Sequence, residues 1–154
     1  MLSKRRFILG LSGMSSLMLP LQLRAGEDAA KSAVGQIQQI LQPDHRAFIK
    51  RAFEMRDLAV ETGDQGYGAI VVRGNQIIGQ SPSHVIVHND PTAHAELEAI
   101  RDAARRIGSR DLSGCILYSS SAACPMCEAA AYWANIERLI YGNNASDSGR
   151  PVLC

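Results

Sequence analysis

The sequence predicts an α/β protein, a three-layer α/β/α sandwich around a mixed central sheet, on three observations. Two β-like runs at residues 69–73 and 76–79 flank Gly74-Asn75 and spell an antiparallel hairpin. Two later β-like runs each follow a helix-periodic segment, and parallel strands of one sheet need such crossover helices. The 154 residues suit one hydrophobic core and leave no room for a second.

Each element has its own signal. Residues 28–42 carry helical spacing at Val34, Ile37, Ile40 and Leu41, so residues 26–43 are expected to form a leader helix ahead of the domain proper at residues 44–154. Pro43-Asp44 opens the next helix, with Phe48, Ala52, Met55 and Ala59 at helical intervals and Thr62-Gly63 as its stop. The hairpin follows. Pro91-Thr92 then opens a helix with Leu97, Ile100, Ala104 and Ile107 as its buried stripe and Gly108 as its end. Residues 116–120 read as a buried strand. Pro125 fits the first turn of another helix, where its missing N–H has no partner to lose, and residues 136–141 make a last strand. Tyr132 and Trp133 on that helix are expected in the core, with no substrate role. After Gly142 the chain is polar and loop-like through Gly149.

Residues 1–25 are organised as a signal peptide: Lys4-Arg5-Arg6, an apolar stretch from Phe7 to Leu23, then Leu23-Arg24-Ala25 ahead of Glu27-Asp28. Ser3-Lys4-Arg5-Arg6-Phe7-Ile8 resembles the twin-arginine export motif, with Lys4 in the first arginine's place. The expected location is the periplasm. An uncleaved membrane anchor, or a start codon set too far upstream of a cytoplasmic protein, are the alternatives. Export in the folded state would let a metal bind in the reducing cytosol, while cysteines are still thiolates.

Hydrophobic residues at 46% and charged residues at 20% are ordinary for a soluble globular chain. Beyond Ala25, twelve basic side chains stand against fifteen acidic ones, a net charge of −3 that disfavours a nucleic-acid partner. Arg101, Arg105, Arg106 and Arg110 cluster, but Glu98 and Asp102 lie among them, as on a solvated helix face.

The chemistry lies in His94-Ala95-Glu96 and Cys124-Pro125-Met126-Cys127. One imidazole and two thiolates fill three corners of a tetrahedral zinc site and leave the fourth open to water, the arrangement of a catalytic rather than a structural site. Glu96, two residues after His94, is placed to move protons without binding the metal. Alone, the CxxC would also suit a redox pair or half of a zinc ribbon, and the HxE a surface helix. Cys115 is expected as a small buried core residue and Cys154 as exposed, with a disulfide between them as the alternative.

HxE with a downstream PCxxC is the signature of zinc-dependent nucleobase deaminases. Asn89-Asp90-Pro91-Thr92-Ala93-His94-Ala95-Glu96, Cys115-Ile116-Leu117-Tyr118, Cys124-Pro125-Met126-Cys127 and Tyr132-Trp133-Ala134 extend the likeness. Over residues 44–142 the chain resembles the cytidine/deoxycytidylate deaminase-like superfamily, and within it the bacterial guanine deaminases. The resemblance implies a cytidine-deaminase-like fold, one Zn2+ per chain on His94, Cys124 and Cys127, proton transfer by Glu96, and a backbone amide contact from Ala95 to the base. It implies a small-molecule nucleobase or nucleoside substrate and a homodimer.

The chain also departs from that pattern. Ala122-Ala123 stands where the family has Glu-Pro, Ser83 where it has a base-contacting Asn, and Gly66-Tyr67-Gly68-Ala69 where it has Pro-Phe-Gly-Ala. Relatives generally continue past this chain's end with more helix. The expected consequence is a more open pocket, less water exclusion, or a lid borrowed from a neighbouring subunit. The expected activity is hydrolytic deamination, with a guanine-like free base favoured. The rivals are a catalytically impaired zinc-binding relative, a transfer-RNA adenosine deaminase-like enzyme, and a zinc or redox module using Cys124 and Cys127.

Overall fold

The computed structural model describes residues 35–153. The signal-like residues 1–25, residues 26–34 of the expected leader helix, and Cys154 with its alternative disulfide lie outside the described residues. Helix α1 spans His45–Glu61; the hairpin β1 (Gly68–Arg73) and β2 (Gln76–Pro82) follows, then helix α2 (Ala95–Ile107) and strand β3 (Cys115–Ser119). Helix α3 (Pro125–Trp133) leads to strands β4 (Arg138–Tyr141) and β5 (Ser146–Gly149). The sheet order is β2-β1-β3-β4-β5, with β3 and β4 parallel and the other neighbours antiparallel.

Alternation along the strands divides the side chains between two cores. Ala69, Val71, Leu117 and Leu139 pack with Ala95, Ala99 and Ala103 of α2 and Ala131 of α3. Ile70, Val72, Tyr118 and Ile140 point the other way and pack with Phe48, Ile49 and Met55 of α1. Helices therefore cover both faces, as the element order predicts. Asp44 caps α1 by accepting the Ala47 N–H at 2.6 Å. Cys115 is fully buried, as expected, with the Arg73 Nε–H donating to its sulfur at 3.3 Å.

The buried stripe of α2 differs from the expected one. Ala95, Ala99, Ile100 and Ala103 are buried, while Leu97, Ala104 and Ile107 are only partly so. Small side chains let the helix backbone descend onto the sheet, and Gly79 completes the approach. A Cβ at Gly79 would lie 2.6 Å from the Ala99 oxygen and the Ala103 nitrogen. Gly68 serves α1 in the same way on the opposite face, where a Cβ would lie 2.1 Å from the Arg56 nitrogen.

Two other expectations are corrected. Residues 35–42 are not helical. Their Gln39 side chain clasps the edge strand β2, with Nε2 donating to the Ile77 oxygen at 2.8 Å and Oε1 accepting the Ile77 N–H at 2.9 Å. Ile37 and Ile40 pack against the α1-side core. A short helix is marginal alone, whereas an edge strand has backbone groups to satisfy, and Pro43 disfavours helix just before it. Residues 146–149, expected as loop, form the edge strand β5, tied to β4 by an Arg138–Asp147 ion pair at 2.5 Å. Its polar sequence carries no apolar alternation because the strand is largely exposed.

Candidate metal centre

The start of β1 and the ends of β2 and β3 lie at one end of the sheet. From that end the chain passes through residues 83–94 into α2 and through residues 120–124 into α3. The expected helix start at Pro91-Thr92 does not form. Asp90 Oδ1 accepts both the N–H and the hydroxyl of Thr92 at 2.7 Å, which holds a turn there. His94 is instead the N-cap of α2, with extended backbone (φ −64°, ψ 148°), and Cys124 is the N-cap of α3. Neither side chain caps its helix. Imidazole and thiol are thereby left for a metal, at the positive ends of two helices that favour thiolate.

The ligand atoms of His94, Cys124 and Cys127 all lie within 4.8 Å of one another. His94 Nδ1 stands 3.6 Å from Cys124 Sγ. A tetrahedral zinc with bonds of about 2.0–2.1 Å to nitrogen and about 2.3 Å to sulfur would hold those two atoms about 3.6 Å apart. The donor set and its spacing fit one zinc ion.

Glu96 lies beside this cluster and outside it. It is only 5% exposed, and its Oε2 accepts the Cys127 thiol at 3.7 Å. Burial raises its carboxyl above the usual range, opposed in part by its own backbone N–H and by His94. A carboxyl whose proton affinity is raised by burial is suited to carrying a proton. Burial, with Glu96 adding to it, also pushes the Cys127 thiol up; a bound dication reverses that balance and favours the thiolate.

The two expected base-reading residues stand differently. Ala95 is fully buried, and its N–H is the first of α2, with no acceptor inside the helix. Ser83 is also fully buried, but its N–H donates to the Tyr67 oxygen at 3.0 Å. Its hydroxyl lies by the Asp64 carboxylate without a hydrogen bond of good geometry. No hydrogen bond joins Ser83 to His94, Glu96, Cys124 or Cys127 among the described residues.

Sequence reasoning missed Asp64. Its Oδ1 accepts the Gln65 N–H at 2.7 Å and its Oδ2 accepts those of Ile86 and Val87 at 2.8 and 2.9 Å. Burial would raise its pKa, but these donors and the Ser83 hydroxyl outweigh burial and hold the carboxyl at about 2. Ser120 was missed as well: its hydroxyl accepts the Gly68 N–H at 3.1 Å, and its own N–H donates to the Gly68 oxygen at 2.9 Å. That pair fixes the segment that runs on to Cys124. Ala123, one of the two departures there, packs half-buried against the α2–α3 core, while Ala122 is exposed. Tyr132 and Trp133, expected in the core, are 42% and 69% exposed and meet edge to face.

Comparison with known proteins accords with this geometry. The cytidine and deoxycytidylate deaminase zinc-binding region matches residues 42–143. The chain belongs to the cytidine and deoxycytidylate deaminase family. Among curated relatives of this deaminase-family chain, the guanine deaminase of Bacillus subtilis is 41% identical over 106 residues, 68% of each chain. A tRNA-specific adenosine deaminase of Aquifex aeolicus is 39% identical over 94 residues, 61% of this chain and 62% of that one. The crystal structure of the Bacillus subtilis guanine deaminase superposes with a TM-score of 0.62, covering 64% of this chain and 64% of that one. The present chain thus spans a little under two thirds of that structure. A guanine deaminase from Nitrosomonas europaea shares the fold at 20% identity, with a TM-score of 0.64 over 86% of this chain and 71% of that one.

Proposed function

We propose that this deaminase-family chain is a zinc-dependent hydrolase that releases ammonia from an amino-substituted nucleobase or nucleoside, a guanine-like free base being favoured. One observation carries the reading: a buried carboxylate, Glu96, lies against a three-ligand cluster whose spacing fits zinc. Neither metal storage nor thiol exchange needs that carboxylate. Zinc, when bound, supplies a water acidic enough to serve as nucleophile near neutral pH. Glu96 would take one proton from that water and deliver it to the ring nitrogen beside the amine, then carry the second proton, released by the newly attached hydroxyl as the carbonyl forms, to the amine, which leaves as ammonia. The Ala95 N–H, at the start of α2, would orient the base.

Guanine is favoured by the 41% identity to a guanine deaminase. A transfer-RNA adenosine substrate is the second reading, favoured by the 39% identity to an enzyme of that name. The net charge of −3 beyond Ala25 speaks against it, and Arg101 and Arg106 are paired with Glu98 and Asp102 rather than free for phosphate. An ammonia-release panel of guanine, adenine, cytosine, a pteridine and a tRNA anticodon stem-loop separates the two. Release from guanine and not from the stem-loop is expected; release from the stem-loop alone would overturn the substrate assignment.

The exposed Tyr132 and Trp133, with Val152 and Leu153 at 58% and 44% exposure, further support a homodimer. Sedimentation is expected to give twice the 16.7 kDa chain mass, less any cleaved leader; a monomer at tens of micromolar would contradict it. Export to the periplasm, proposed from residues 1–25, is decided by cell fractionation, a cytoplasmic fraction counting against it.

A further inference from the structure

We propose that Asp64 is a positioning residue for the substrate side of the site, its carboxylate clamping the backbone of the loop at residues 83–90 that leads into His94-Ala95-Glu96. The inference rests on the deaminase reading above.

The loop is neither helix nor strand and is folded by its own turns. His88 N–H donates to the His84 oxygen at 3.0 Å, Asn89 N–H to the Ile86 oxygen at 3.1 Å, and Asp90 N–H to the Val85 oxygen at 3.0 Å. Its entry is tied down twice, by Ser83 N–H to the Tyr67 oxygen and by His84 N–H to the Ala93 oxygen, both at 3.0 Å. The second tie joins the loop to the residue just before His94. The middle of the loop has no such packing, since Ile86 and Val87 are 58% and 46% exposed. Asp64 holds it there, through the two charge-assisted bonds to the Ile86 and Val87 N–H groups.

Asp64 itself is only 8% exposed, and its remaining oxygen is taken by Gln65, so its geometry is fixed from its own side. The His84–His88 pair, whose rings stack at 4.5 Å and 11°, lies on the same loop. Releasing the clamp would loosen the segment that joins Ala93, just before His94, while His94, Cys124 and Cys127, at the starts of α2 and α3, stay in place.

The test uses the full chain with Asp64→Ala and Asp64→Asn. Amide hydrogen exchange at Ile86 and Val87 is expected to accelerate about tenfold or more in Asp64→Ala, and less in Asp64→Asn, which keeps one acceptor oxygen. Zinc should stay at one per chain. On the ring that the unaltered protein deaminates, KM is expected to rise about tenfold with kcat within about threefold. Unchanged exchange at both amides would overturn the proposal. So would loss of zinc, kcat and thermal stability together, which would make Asp64 part of the folding core. If the unaltered protein deaminates no ring, the deaminase reading fails, whereas the exchange and zinc measurements still judge the clamp.

Discussion

Replacing Glu96 with alanine is expected to lower ammonia release by about 10²–10⁴-fold while the protein keeps one zinc per chain. Glu96 is buried against the Cys127 thiol, and its carboxyl is pushed up by burial, so it combines position and proton affinity for moving a proton to the leaving amine. It lies outside the three-ligand cluster, so its loss should leave the metal in place. Metal analysis alongside steady-state rates checks both halves. A fall in rate accompanied by zinc loss would make Glu96 a structural support instead. An unchanged rate would remove it from the chemistry.

The second large effect is on the metal. Cys127 is fully buried in the first turn of α3 and shares its surroundings with Glu96 and Cys124. Cys127→Ala removes one of three protein donors, so stoichiometric zinc is expected to fall well below one per chain, and deamination with it. Chelation of the unaltered protein should act in the same direction on stability. An ion present at about a thousand times its dissociation constant contributes on the order of 4 kcal/mol. For a domain of this size that corresponds to a fall in Tm on the order of 10 °C when the metal is withdrawn. Thermal unfolding with and without chelator reads it directly. An unchanged Tm and full zinc content in Cys127→Ala would place the metal elsewhere.

Much of this was legible in the sequence because local chemistry decided it. Asp44, Gly63, Gly108 and Pro125 are helix boundary residues wherever they fall, and Gly74-Asn75 between two apolar runs makes a hairpin in most surroundings. The ligand set was legible for the same reason: imidazole, two thiolates and a carboxylate at those spacings have few other uses.

Several of the misses are places where a partner far along the chain decides. Gln39 gives up a helix to clasp Ile77, thirty-eight positions on. The stripe of α2 follows small residues because Gly79 admits the helix to the sheet, which periodicity of large apolar residues does not register. Asp64 sits in an ordinary turn composition, and its work on Ile86 and Val87 is invisible until the fold brings them together. The Ser83 N–H bond to Tyr67 and the closeness of its hydroxyl to Asp64 are likewise set only by the fold.

Ammonia release from guanine by the zinc-loaded protein, with zinc counted in the same sample, tests the central claim most directly. Steady release at one zinc per chain is the predicted result. One zinc per chain with no ammonia from guanine or any other ring would contradict it, leaving a deaminase fold that keeps its metal without the chemistry.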